Sequence, residues 1–128
     1  DFVEVIKVEI DSDEFEYIFL FEIDPINGKI IGEGESATIA LAIVNEGVVA
    51  SNNLKDICVY INKYDLSYIT IPMILVNSYN DDLINKKEAD DIWVKMLNNG
   101  IYLPDNSFSE YFKWENIDKK CKEQHFLE

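Results

Sequence analysis

Residues 32–64, GEGESATIALAIVNEGVVASNNLKDICVYINKY, decide how the chain is read. Ala37, Ala40, Leu41 and Val44 recur at i, i+3, i+4 and i+7, and Ile39 and Ile43 cover the next face. That spacing predicts a largely apolar core helix over 35–46. Gly47 stands where a left-handed residue would close the helix. Val48-Val49-Ala50 is short, apolar and flanked by Gly and Ser-Asn-Asn, as expected of an interior strand. Ser51, Asn52 or Asn53 can then cap a second helix carrying Ile57, Ile61 and Tyr64.

A helix packed on a sheet runs antiparallel to the strand that follows it, so the start of helix 35–46 is expected near the end of strand 48–50. Glu35, Asn53 and Asp56 should converge there, at one edge of the sheet. Open α/β sheets bind ligands at the carboxyl ends of their strands. Two carboxylates and an amide are hard oxygen donors suited to Mg²⁺ or Mn²⁺. Leu66 to Ile71 reads as a second parallel strand. The expected fold class is α/β, a small parallel sheet flanked by helices in one domain spanning 1–128, with a charged tail over 115–128.

Gly34-Glu35-Ser36 at a helix start, then a strand, then Ser51-Asn52-Asn53 with Asp56 three residues on, resembles the second half of a PIN domain. That family comprises metal-dependent ribonucleases and includes the VapC-type toxins. The similarity runs over roughly residues 30–112, through the Thr70-Ile71-Pro72 turn. It implies a PIN-like fold and hydrolysis of RNA phosphodiesters by water activated on Mg²⁺ or Mn²⁺. Glu35 and Asp56 would be catalytic metal ligands, and Asn53 a ligand through its carbonyl oxygen or an orienter of metal-bound water. Candidate partners are RNA, an antitoxin or other protein, and a second copy of the chain. Asn53 stands where many members have Asp. The family's first acid follows an N-terminal strand, ahead of where this sequence begins. The expectation is therefore a partial domain, inactive by itself.

With 128 residues, of which 48% are hydrophobic and 12% aromatic, the chain can bury a substantial core. Its net charge of −14 runs against nuclease function, because phosphate neutralisation dominates nucleic-acid affinity. Bound metal could reverse the sign locally. The competing reading is a PIN-like module without catalysis that binds a protein partner through its acidic and aromatic surface, and charge alone favours a basic one. No apolar run approaches the roughly 20 residues of a membrane span, and no signal-peptide pattern is present; the two cysteines, read as reduced thiols, give the expectation of a cytoplasmic protein. Cys58 and Cys121 match no zinc spacing and are expected as reduced thiols. His125, the single histidine, has no Ser or Cys near it in a structured pattern, which excludes a histidine-based triad. The glycines of GEGES are wrongly spaced for a phosphate-binding loop.

Elsewhere the signals are local. Residues 1–11 alternate imperfectly and suggest an edge strand with one wet face. Asp11 follows it and precedes Ser12, as the family's first acid would. However, Glu4, Lys7 and Glu9 do not suit a central parallel strand, and too few residues separate Asp11 from Glu35 for the intervening helices. Asp11, Ser12 or Asp13 is instead expected as an N-cap. Residues 13–23 suit a helix better than a strand, and 24–28 form a loop with Pro and Asn-Gly turn chemistry. Glu33 is expected in solvent. Pro72 fits the first turn of a helix through Val76. Asn80-Asp81-Asp82 reads as a turn and not as a metal cluster. Asn85 with Glu88 forms a capping box before Ala89, Ile92, Trp93 and Met96, and Asn99-Gly100 is the stop. Ser107 with Glu110 forms a second box. The helix after it carries Phe108, Tyr111, Phe112 and Trp114 as an aromatic face for the body or for a partner.

Overall fold

A computed structural model describes residues 3–113. The order is α1 (Asp13–Ile23), a 3₁₀ turn (Ile26–Gly28), α2 (Glu33–Asn45), β1 (Val48–Ala50), α3 (Leu54–Lys63), β2 (Ser67–Ile69), α4 (Ile71–Asn80), α5 (Lys86–Asn98) and α6 (Phe108–Phe112). The two strands form a parallel sheet, so the α/β class expected from the sequence holds. The chain divides into two compact units, 1–49 with 59–67 and 50–58 with 68–128, and the boundary passes through both strands.

In the first unit α1 packs on α2. Ser12 caps α1, its hydroxyl accepting from the Phe15 N–H at 3.2 Å, as one of three candidate caps. Tyr17, Ile18 and Phe21 turn inward, and Phe21 meets the fully buried Tyr60 ring edge-on at 4.8 Å. The Tyr60 hydroxyl accepts from the Ile26 N–H at 3.3 Å, so a buried phenol also satisfies a turn amide. Asn27 and Gly28 both take positive φ, 56° and 70°, as Asn-Gly turn chemistry requires. Tyr64 lies beside Tyr17 and Tyr60, and burial first, then those two phenols, push its hydroxyl above its ordinary 10. In α2 the deepest residues are Ser36, Ile39, Ala40 and Ala42, one step round from the stripe that the spacing marked.

The second unit is built on Trp93, fully buried among Leu75, Val76, Ala89, Leu103, Phe108 and Tyr111. Its indole N–H donates to the Asp105 carbonyl at 2.9 Å. The Asn85–Glu88 capping box is complete, with bonds of 2.8 and 3.1 Å. At α6 only half of the second box forms. Ser107 accepts from the Glu110 N–H, whereas the Glu110 carboxylate turns to the Asn106 N–H. Phe108, Tyr111 and Phe112 pack on this core, so the aromatic face serves the body; Trp114, His125, Cys121 and the 115–128 tail lie outside the described residues.

Several expectations are corrected. Residues 3–9 form no strand; among the described residues the sheet holds only β1 and β2. β1 is not interior on both faces: Val49 is buried while Val48 and Ala50 are exposed, so only one face of the strand is covered. The helix begun near Pro72 runs on to Asn80. Ile92 stands at the exposed margin of α5. Cys58 is buried and disulfide-bonded, not a reduced thiol; spacing alone carries no pairing information. Among the described residues no helix is long and apolar enough to cross a membrane.

Four helices close on one device, a left-handed residue followed by an N–H that reaches back to the carbonyl five residues earlier. The left-handed residues are Glu46, Asp65, Asp82 and Gly100. The bonds run from Gly47 to Ala42, Leu66 to Ile61, Leu83 to Ser78 and Ile101 to Met96, at 2.9–3.0 Å. The glycine expected to end α2 therefore sits one residue too late, and the turn falls on Glu46. A side chain with a Cβ costs about 1–2 kcal/mol in this conformation, and a carboxylate at a helix C-terminus opposes the dipole. Glu46→Gly is accordingly expected to stabilise the chain by roughly 1 kcal/mol in urea unfolding. A loss of stability would show that the Glu46 side chain makes a contact worth more than its backbone strain.

Candidate functional site

Glu35 occupies the third position of α2, after its N-cap Gly32. Its carboxylate folds back over Gly32, into the space a Cβ there would need. The absence of a side chain at Gly32 is what admits it. An acid so placed sits in the favourable field of the helix N-terminus, the geometry of half a capping box. Glu33 stands in solvent, as expected.

Asn53 and Asp56 do come together. The Asn53 Nδ2 donates to Asp56 Oδ2 at 2.9 Å, and the Asp56 N–H donates to the Asn53 carbonyl at 3.3 Å. The Asn53 N–H donates to Ser51 Oγ at 3.1 Å, and the Ser51 N–H to the Ile69 carbonyl at 3.1 Å. Strand end, turn and the start of α3 are thus tied by one short hydrogen-bonded run. Asn53 is exposed and Asp56 half-buried. Glu35 belongs to the first unit and this pair to the second.

Asn52, singled out only as a possible cap, donates through Nδ2 to the Tyr102 carbonyl at 2.6 Å. Its Oδ1 is buried with no hydrogen-bond partner among the described residues. No local pattern could have announced a partner fifty residues away. Another acid is committed to structure: both Asp90 carboxylate oxygens hold the start of α6, accepting from the Ser109 N–H and hydroxyl at 2.9 and 2.7 Å. Of Asn80-Asp81-Asp82, Asn80 ends α4 and Asp81-Asp82 form the turn after it. Among the described residues no group of three or more His, Cys, Asp or Glu is arranged to hold a metal ion.

A different surface stands out. Residues 1–49 hold 12 of the 25 acidic side chains and 2 of the 11 basic ones. Within this stretch α1 turns Glu16, Phe19, Leu20 and Ile23 outward at i, i+3, i+4 and i+7, and Phe19 and Ile23 are 52% and 64% exposed. Asp13 and Glu22 are exposed on the same helix. The alternation of apolar and acidic residues in 13–23 marked an amphipathic helix, but that helix is apolar on two faces. Only one of them could be assigned to the core.

No family model, curated protein or solved structure matches this chain.

Proposed function

We propose that this chain is a protein-binding module whose α1 takes a basic, amphipathic segment of a partner. The observation that carries the reading is the exposed stripe Phe19, Leu20 and Ile23 with Glu16, Asp13 and Glu22 beside it. A monomer leaves single apolar side chains in water at little consequence, whereas a row along one helix face marks an interaction site. Acids around the row supply complementarity to lysine or arginine, setting on-rate and register while the apolar residues supply affinity.

The test uses a synthetic helical peptide of alternating Leu and Lys faces, with binding followed by fluorescence anisotropy at about 0.15 M salt, where the Debye length is about 8 Å. Phe19→Ser with Ile23→Ser should weaken binding by at least about tenfold, that is about 1.4 kcal/mol. Leu83→Ser, at an exposed apolar site in the second unit, should leave it unchanged. Equal affinity in all three proteins would assign the binding to diffuse attraction by the net charge and end the proposal.

The Asn53–Asp56 pair favours a second reading, the metal-dependent PIN-type ribonuclease that the motif resemblance implies. A hydrogen-bonded amide and carboxylate just past a strand end suit a Mg²⁺ or Mn²⁺ that keeps most of its waters. On this reading Mn²⁺ raises the melting temperature, and both Asn53→Ala and Asp56→Asn abolish the rise. An equal rise in wild type and both variants would assign it to screening of the charge of −14. The disulfide at Cys58 supports an oxidising compartment over the cytoplasm.

A further inference from the structure

The sequence holds two Asn-Gly pairs, Asn27-Gly28 ahead of α2 and Asn99-Gly100 after α5. An asparagine followed by glycine is open to attack on its own side chain, because no Cβ on the next residue keeps its peptide nitrogen from the amide carbon. Closing that five-membered ring needs the nitrogen rotated against the side chain. Asn27, with ψ 24°, and Asn99, with ψ 12°, both hold it turned away, so each turn must open before it can react. The turns differ in what opening breaks. At Asn27 two backbone bonds are lost, from the Gly28 N–H to the Pro25 carbonyl at 3.2 Å and from the Lys29 N–H to the Ile26 carbonyl at 3.3 Å. Asn27 is exposed, with φ 56°, and its side chain has no hydrogen-bond partner among the described residues. At Asn99 the side-chain Nδ2 donates to the Lys95 carbonyl at 2.7 Å. The N–H groups of Asn99, Gly100 and Ile101 also reach back to carbonyls of α5, at 3.0–3.1 Å.

We infer that Asn27 is a site of spontaneous deamidation and that the fold spares Asn99. The Gly28 nitrogen gives up its proton to solvent base and bonds to the Asn27 amide carbon. The bond from that carbon to Nδ2 breaks, ammonia leaves and a succinimide closes. Water then adds to either ring carbonyl, and the ring opens without any oxidant or cofactor. One opening leaves aspartate; the other leaves isoaspartate, whose main chain runs through the former side chain and gains one carbon. Aspartate tolerates the left-handed conformation as asparagine does. Isoaspartate lengthens a turn whose Ile26 N–H is bonded to the buried Tyr60 hydroxyl at 3.3 Å, and so loosens its hold on the core of the first unit. This inference uses neither the outer face of α1 nor the partner proposed for it.

Peptide mapping by mass spectrometry tests the inference on the whole chain aged in mildly alkaline buffer, with amide loss and isoaspartate read at both pairs. In the folded chain Asn27 should react at least about tenfold faster than Asn99, because opening disrupts two donors at Asn27 and four at Asn99. In concentrated urea both turns are lost, each asparagine keeps only its glycine neighbour, and the two should react at comparable rates. The aged chain should also melt below the Asn27→Asp variant, which carries the new charge without the longer main chain. Equal rates in the folded chain, faster loss at Asn99, or the same preference for Asn27 in urea would overturn the assignment of the site to the fold. An aged chain as stable as Asn27→Asp would overturn the loosening of the turn.

Discussion

Two strands of three residues each offer too few ladder hydrogen bonds to hold a fold, so the side-chain faces of the helices must do it. Everything else follows from that constraint. Each compact unit is centred on an aromatic residue that fills space and also satisfies a backbone group. Tyr60 accepts from the Ile26 amide in the first, and the Trp93 indole donates to the Asp105 carbonyl in the second. A buried phenol or indole without such a partner would lose about 1–3 kcal/mol of the gain from burying its ring. These bonds fix the turn before α2 and the loop before α6, both of which lie far along the chain from the ring that holds them.

The same constraint separates residues that build the chain from residues that do not. Phe21 is buried in its core, while Phe19 and Ile23 on the same helix are largely exposed. Carboxylates show a parallel division. Glu88 and Asp90 close helix starts through hydrogen bonds. Glu46, Asp65 and Asp82 stand at helix ends where the dipole opposes their charge; Asp tolerates the left-handed conformation, whereas Glu46 is opposed by it as well. Charge placed against local preference, beside apolar surface left in water, fits a chain shaped by what it meets as well as by how it folds.

Local signals were legible in the sequence and non-local ones were not. The helices over 33–45 and 86–98 and the strand over 48–50 were readable because period, capping box and turn chemistry act within a few residues. Asn53 and Asp56 were readable as neighbours for the same reason. Glu35 was readable as a helix-start acid, but its turn back over Gly32 depends on a side chain's conformation. The bond from Asn52 to Tyr102 and the disulfide of Cys58 depend on long-range approach, which spacing does not encode. Residues 3–9 alternate only imperfectly, and a strand also needs a neighbour, which the described residues do not supply.

If the outer face of α1 serves a partner, folding does not depend on it. Urea unfolding of Phe19→Ser and Ile23→Ser, singly and together, tests it without reference to any partner. Surface changes of this kind are expected to alter stability by no more than about 0.5 kcal/mol each, with unchanged dependence on denaturant. A loss of about 2 kcal/mol or more at either position, the size expected of a core residue, would show that this face is buried in the folded chain and contradict the account.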